Sequence, residues 1–138
     1  MADQGNAGSW WRPYVGKYEL TLGEGVTMAD TTIMLSTILD VLFTSDMVVA
    51  SESAVLATLP EECTPVDDTY FTVLASANEE MFLMALHVNA NGEIAVYGRV
   101  SPTTKGSLTT EWAMPAGTTL HLNGTSFNIC GKYYREEV

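Results

Sequence analysis

Aromatic side chains are the residues of this sequence best suited to binding chemistry. Trp10, Trp11 and Tyr14 lie close together near the start of the chain, and Trp112 follows much later. Flat aromatic faces stack on sugar rings, while nearby Asp, Asn or Glu side chains bind the sugar hydroxyl groups. These four residues are therefore the candidate saccharide-binding residues. The alternative role for each is in the core or at a contact between subunits.

The sequence has no pattern typical of an enzyme. Glycoside hydrolysis needs two carboxylates that face each other, but the acidic pairs here are adjacent and point apart in a strand. These pairs are Glu61-Glu62, Asp67-Asp68, Glu79-Glu80 and Glu136-Glu137. No nucleophile-elbow, zinc-protease or phosphate-binding glycine motif occurs, and His87 and His121 are predicted to be structural. We expect no catalytic activity, no metal and no cofactor.

The charge of the chain excludes two classes of partner. Six Lys and Arg residues stand against seventeen Asp and Glu residues, which gives a formal net charge of −11. Nucleic acids and anionic membrane surfaces are bound by clustered basic residues, and the sequence has no such cluster. No apolar run approaches the roughly 18 residues of a membrane-spanning helix. We expect neither nucleic-acid binding nor membrane insertion.

Composition indicates an assembly of identical chains. Hydrophobic residues make up 46% of the 138 residues and charged residues 17%, below the roughly one quarter that is usual in soluble domains. A domain of this size can bury one core, so the surplus apolar surface predicts contacts between copies. Cys63 and Cys130 are the only cysteines, and we expect both to be reduced, because a protein made in a cytoplasm seldom forms disulfides.

The chain divides into a short arm and one domain. Residues 1–9 are small and polar, which is typical of a flexible arm that is held in place only by a neighbour. The arm has neither the basic start nor the apolar segment of a secretion signal, so we expect synthesis in the cytoplasm of the producing cell. Residues 10–138 are predicted to form a single β-sandwich.

Turn residues divide the domain into short β-prone segments. Asn91-Gly92 separates two such segments and tolerates the positive φ angles of a tight hairpin. Upstream, Leu59-Pro60 and Thr64-Pro65 bracket a short loop between strands. Eight or nine segments follow one another at intervals of about ten residues, which is typical of an antiparallel sandwich or barrel.

One segment, residues 28–44, fits two structures. As a helix, it would begin near Thr27 and have one polar face, formed by Ser36, Thr37, Asp40 and Thr44. As a strand, it would alternate its apolar side chains between two faces. The β-branched Thr and Ile residues and the β-prone segments that follow favour the strand.

Residues 55–100, about a third of the chain, resemble the C-terminal jelly-roll head domain of phage tail-fibre and receptor-binding proteins. The matching features are Leu59-Pro60, Thr64-Pro65 and the hairpin LHVNANGEI, and the ending SFNICGKYY is similar to the short final strand of that family. Thr64 departs from the family, which often has Arg before the second proline. The resemblance implies a homotrimer of jelly rolls, similar to tumour-necrosis-factor-like heads, that forms a knob on the virion surface.

Members of that family often bind host-surface saccharides, so the resemblance implies a tail-fibre or baseplate protein that binds a host receptor. The alternative is a capsid decoration or head-fibre protein. It is suggested because family heads usually follow a long stalk, whereas this chain has only a short arm. In that alternative, residues 1–9 would attach the protein to other virion proteins. The sequence leaves both locations open.

Overall fold

The computed structural model describes residues 10–11, 13–51, 54–101, 107–109, 113–132 and 134–135, with only the backbone described at 10–11, 101, 107–109 and 134–135. Within these ranges the chain forms fifteen β-strands and one short 3-10 helix, Glu61–Cys63. The strands are β1 (Trp10–Trp11), β2 (Gly16–Glu19), β3 (Thr21–Leu22), β4 (Val26–Met28), β5 (Thr32–Leu35), β6 (Asp40–Phe43), β7 (Met47–Val49), β8 (Ala57–Thr58), β9 (Thr69–Ala77), β10 (Glu80–Val88), β11 (Glu93–Ser101), β12 (Ser107–Thr109), β13 (Thr118–Leu120), β14 (Ser126–Asn128) and β15 (Tyr134–Arg135).

The strands form two main sheets. The larger has nine strands in the order β3-β8-β11-β10-β9-β13-β7-β4, with β12 added on β11, and the smaller has the order β14-β6-β5-β2. Strands β1 and β15 form a separate pair. Every pairing is antiparallel. The predicted all-β, antiparallel fold is therefore confirmed, although it uses more and shorter strands than the eight or nine expected.

Aromatic rings fill the space between the two sheets. Phe43 on β6 and Phe127 on β14 belong to the smaller sheet, and Phe71 on β9 belongs to the larger one. Their ring centroids lie 5.3 to 6.0 Å apart, a separation at which aromatic pairs attract each other. Phe43 is fully buried. The core thus lies between the sheets, and the opposite side of each sheet faces outward.

Strands β9, β10 and β11 form a long meander at the centre of the larger sheet. Each has nine residues. Asn78 and Glu79, with φ angles of 51° and 64°, connect β9 to β10. Positive φ at both central residues is the geometry of the tight turn that matches the twist of a hairpin.

The predicted Asn-Gly hairpin is confirmed. It contacts the loop between Leu59-Pro60 and Thr64-Pro65, which we name the proline loop. Gly92 has a φ of 87°, and its carbonyl oxygen accepts a hydrogen bond of 2.9 Å from the Leu59 N–H group. A Cβ atom at position 92 would lie 2.7 Å from Thr64 Cγ2 and 3.0 Å from the Leu59 carbonyl oxygen. Glycine is thus required both for its backbone angle and for this close approach.

The ambiguous segment is a hairpin of two strands. Strands β5 and β6 pair through Ile33 with Phe43 and Met34 with Leu42. The turn between them closes with a hydrogen bond of 3.0 Å from the Ser36 N–H group to the Asp40 carbonyl oxygen. The strand prediction is confirmed in this divided form. The helical alternative is wrong, because Ser36, Thr37 and Asp40 of its predicted polar face lie in and beside the turn between β5 and β6, and Thr44 follows β6.

Both cysteines are free, as expected; Cys63 is buried and Cys130 is exposed. No helix within the described ranges is long and apolar enough to cross a membrane.

Candidate functional site

The side of β9 and β10 that points away from the smaller sheet is here named the outer face. Side chains alternate between the two sides of a strand. On β9, the inward Val73 and Ala75 are buried, whereas the outward Tyr70 and Leu74 are 53% and 42% exposed. On β10, Leu83 pairs with Leu74 across the ladder and is also 42% exposed.

The outer face of these two strands carries no carboxylate and no Lys or Arg side chain. Its residues are Tyr70, Thr72, Leu74, Ser76, Met81, Leu83, Ala85 and His87. The net charge of the chain is −11, yet the only carboxylates beside this face of β9 and β10 that are described below are Asp68 and Asp46, one at each end. Such a face suits an uncharged ligand or an apolar contact.

Three rings form a cluster at one end of the outer face, which we name the aromatic end: Tyr70, His87 and Tyr97. Tyr70 stacks on His87 with 4.6 Å between ring centroids and an interplanar angle of 18°. Tyr97 meets Tyr70 edge to face at 4.8 Å and 72°. Tyr97 is 41% exposed, so both tyrosine rings offer accessible surface.

A bulge in the β10–β11 ladder accompanies Tyr97. Leu86 pairs with Val96 and Ala85 with Gly98, and the register shifts between these pairs. The extra residue on β11 is Tyr97. Ala95 lies opposite the outward His87, so strand alternation points Tyr97 outward as well, and the bulge places Gly98 instead of Tyr97 opposite Ala85.

Asp68 supplies a carboxylate to the aromatic end. Its Oδ2 atom lies 3.4 Å from His87 Nε2, and its Oδ1 atom accepts a hydrogen bond of 3.3 Å from the Ala90 N–H group. The His87 Nε2 atom is buried and has no hydrogen-bond partner among the described residues, so its contact with Asp68 is one of proximity only. The Asp68 side chain is 59% exposed and can accept hydrogen bonds from a ligand.

A second cluster of different chemistry, which we name the hydroxyl end, occupies the opposite part of the same face. His121 Nε2 lies 2.9 Å from Ser76 Oγ, and His121 Nδ1 lies 3.2 Å from Asp46 Oδ2. A serine, a histidine and an aspartate thus form one continuous hydrogen-bonded array. It is the order of groups that activates a hydroxyl nucleophile in many unrelated folds.

Three strands hold the hydroxyl end. Strand β13 pairs with β9 through Thr119 and Ser76, and the His121 N–H group donates a bond of 2.8 Å to the Leu74 carbonyl oxygen. Asp46 precedes β7, the other neighbour of β13. Its Oδ1 atom accepts a bond of 3.0 Å from the Asn123 N–H group, which fixes the carboxylate toward His121.

Two of the clefts lined by described residues lie outside the core. One, of about 620 Å³, is lined by Asp46, Asn123, Asp30 and neighbouring residues, and so adjoins the hydroxyl end. The other, of about 530 Å³, lies on the outward side of the smaller sheet and is lined mainly by apolar atoms, among them those of Val15, Ile38 and Leu42. Ile38 is 69% exposed.

Burial changes the acid–base behaviour of two groups near the proline loop. It raises the pKa of the Cys63 thiol to about 12, with a smaller contribution from the nearby Glu62 charge. Burial also lowers the pKa of Lys132, whose Nζ atom donates to the Glu61 carbonyl oxygen at 3.0 Å and to Thr64 Oγ1. Cys63 therefore remains a protonated, unreactive thiol near neutral pH.

Of the four residues predicted to bind saccharide, only Tyr14 has a described side chain. Trp10 and Trp11 pair with Arg135 and Tyr134 in the β1–β15 ladder, and their side chains are outside the description. Trp112 lies outside the described residues. Tyr14 is 66% exposed, and its carbonyl oxygen accepts a bond of 2.6 Å from the Tyr18 hydroxyl. The assignment of these four residues stays a prediction.

The sequence did not single out either cluster as a site. Tyr70, His87 and Tyr97 could have been placed on one face from strand alternation and the Asn91-Gly92 hairpin. Ser76 and His121 are 45 residues apart, and Asp46 and His121 are 75 apart. Only the order of strands in the sheet brings these three together, and no local pattern encodes that order.

Comparisons with known proteins give a structural likeness without a sequence relationship. No protein-family profile matches the sequence, and no curated protein matches it. Among solved structures, the fold is similar to the receptor binding protein (gp15) of Listeria phage PSA, with a TM-score of 0.58 and 14% sequence identity. The match covers 90% of this chain and 67% of that one. At this identity the likeness shows a shared fold.

Proposed function

We propose that this protein is a phage virion-surface protein, a homotrimeric knob that binds a saccharide receptor on the host through the aromatic end of its outer face. The observation that carries the proposal is the exposed, mutually packed cluster of Tyr70, His87 and Tyr97. The fold supports it, because a solved structure of similar fold is a phage receptor binding protein.

The chemistry of the aromatic end favours an uncharged saccharide. The exposed tyrosine rings suit the apolar face of a sugar, and Asp68 can accept hydrogen bonds from its hydroxyl groups. No Lys or Arg side chain lies on the outer face of β9 and β10 to bind a phosphate or carboxylate group. With a net charge of −11, the protein also repels polyanionic ligands at low salt.

Binding to host cells tests this proposal. We expect Tyr97→Ala to weaken binding of the purified protein about tenfold, or about 1.4 kcal/mol, because the variant removes stacking surface and leaves Asp68 in place. Tyr14→Ala removes a similarly exposed tyrosine from the site predicted from the sequence, so it compares the two candidate sites. It would keep full binding.

The reverse result would contradict the assignment of the site. Loss of binding in Tyr14→Ala, Trp11→Ala or Trp112→Ala, with Tyr97→Ala unaffected, would return the saccharide site to the residues predicted from the sequence. Absence of host binding by the intact protein would contradict receptor binding itself.

The capsid alternative is separated by location. Labelled antibody on tail fibres or the baseplate is the expected result. Labelling on the capsid, together with loss of particle attachment when residues 1–9 are deleted, would instead support a decoration or head-fibre protein held by its arm.

A further inference from the structure

We propose that Ser76 is a nucleophile, activated by His121 and Asp46, that hydrolyses carboxylic esters at the hydroxyl end of the outer face. The proposal rests on the continuous array of Ser76 Oγ, the two ring nitrogens of His121 and Asp46 Oδ2. It adds a chemical activity to a face that the proposed function uses only for binding, and it departs from the expectation that the protein is not an enzyme.

The hydrogen bonds of the array select one arrangement of protons. Asp46 accepts the Nδ1–H group of His121 at 3.2 Å, which leaves a lone pair on Nε2 toward the Ser76 hydroxyl at 2.9 Å. In this tautomer the imidazole can receive the serine proton directly. Asp46 holds that tautomer and stabilises the imidazolium that forms, so its role is that of a positioning residue.

The array is open to a small substrate. The side chains of His121 and Asp46 are 34% and 42% exposed, and Ser76 is half-buried. The exposed Leu74 and Met81 flank Ser76 and provide an apolar surface for an acyl group. The cleft of about 620 Å³ adjoins the array at Asp46, although neither Ser76 nor His121 lines it.

The reaction that this array supports has two balanced halves. Ser76 Oγ forms a bond to the ester carbonyl carbon while its proton passes to His121 Nε2. The bond from the carbonyl carbon to the alcohol oxygen then breaks, and the alcohol takes the proton from His121. In the second half, water gives its proton to His121 and attacks the acyl carbon. The bond to Ser76 Oγ breaks, Ser76 recovers the proton, and a carboxylic acid leaves.

The position of the array favours an acyl ester on a saccharide as the substrate class. Only this choice of substrate rests on the proposed function. Ser76 and Tyr70 are both outward residues of β9, and six residues of extended strand span about 20 Å. A saccharide chain that stacks on the aromatic end and follows β9 would bring its acyl substituents to Ser76. Esters are favoured over amides because their alcohol leaving group is more easily expelled.

Hydrolysis of p-nitrophenyl acetate by the purified protein tests the proposal without any saccharide. We expect release of p-nitrophenol above the background rate, and mass spectrometry should find an acetyl group on Ser76. Ser76→Ala should abolish the adduct and lower the rate about a hundredfold, which is the scale of general-base catalysis. Ser126→Ala is the matched control, because Ser126 is an exposed strand serine on the smaller sheet, and it should retain the full rate.

Variants of the other two groups separate catalysis from structure. His121→Gln should lower the rate as much as Ser76→Ala. Asp46→Asn should lower it less, and Asp46→Glu should restore part of it, which a merely structural role of the carboxylate would not produce. Absence of both turnover and a Ser76 adduct in the folded protein would overturn the proposal. Such a failure is distinct from failure of receptor binding, since the ester assay and the cell-binding assay share no ligand.

Discussion

Each end of the outer face has a histidine beside an aspartate, but the two histidines are held in different ways. At the aromatic end, His87 stacks on Tyr70 and lies 3.4 Å from Asp68 without a hydrogen bond at Nε2. At the hydroxyl end, both ring nitrogens of His121 lie within hydrogen-bond distance of a partner, Ser76 or Asp46.

The difference shows how the surroundings of a histidine determine its use. A ring held by stacking presents a flat surface, and its proton position is not directed toward a reacting group. A ring held by two directional hydrogen bonds has a defined tautomer and a defined path for a proton. The first arrangement suits binding, and the second suits proton transfer.

The largest expected effect is a change in the mass of the assembly. It tests whether the outer face is exposed or covered by a neighbouring subunit. We expect the protein to be a trimer, and we expect Ile38→Asp together with Leu42→Asp to reduce its mass about threefold. The reason is that both residues line the apolar cleft on the smaller sheet, where a charge would oppose subunit contact. Light scattering at micromolar concentration measures this mass.

Leu83→Asp is the matched variant on the other sheet, and it should leave the trimer intact. If Leu83→Asp gives a monomer while the cleft variant does not, the outer face is the subunit contact. Both ends would then be covered, and the receptor and ester proposals for this face would fail together.

Removal of each histidine compares the two ends by stability. His121→Ala leaves Asp46 and Ser76 without a shared partner and should cost about 1–3 kcal/mol of unfolding free energy. His87→Ala loses mainly a ring contact and should cost about 0.5–1.5 kcal/mol. Urea denaturation of both variants measures the difference. Equal losses would mean that the hydrogen bonds of His121 add nothing beyond the packing of its ring.

Removal of each carboxylate should lower the free energy of unfolding by less than removal of the histidine. The loss should again be larger at the hydroxyl end than at the aromatic end. Asp68 is largely exposed, and an exposed ion pair contributes about 0–1 kcal/mol, so Asp68→Ala should be nearly neutral. Asp46→Ala should cost more, because it also frees the Asn123 N–H group. A larger loss for Asp68→Ala in urea denaturation would reverse our view of the two ends.

The smallest expected effect is on the alkylation of Cys63. This reaction shows whether a variant at either end remains folded. Because burial raises the pKa of its thiol from 9.0 to about 12, Cys63 should resist alkylation at neutral pH while the exposed Cys130 reacts. Because the unfolded chain loses this proton first, the free energy of unfolding decreases as the pH rises from 9.0 to about 12. Rapid alkylation of Cys63 in any variant would show that the variant is unfolded.

Local patterns in the sequence predict much of the scaffold. The alternation of Tyr70, Thr72 and Leu74 with Phe71, Val73 and Ala75 predicts strand β9, and Asn91-Gly92 predicts the hairpin of β10 and β11. Both follow from interactions between residues close in the chain. The division of residues 28–44 into two strands depends on a turn at Ser36–Asp40, and the polar residues there fit a helix face equally well.

The candidate sites depend on contacts that local patterns do not contain. Trp10, Trp11 and Trp112 attract attention by residue type, but residue type does not determine which faces meet. The hydroxyl end exists because β13 lies between β9 and β7, and strand order is set by the packing of the whole domain. Its three residues belong to separate parts of the chain, and none forms a recognisable motif with its sequence neighbours.

The bulge in the β10–β11 ladder also affects how this surface can diversify. Tyr97 has no residue opposite it on β10, so a new side chain at this position does not have to match a cross-strand partner. If Tyr97 contacts a receptor, as proposed above, its replacement would change recognition while the ladder on either side keeps its register. Under the proposed function, position 97 would be a place where host range could change without a change in strand pairing.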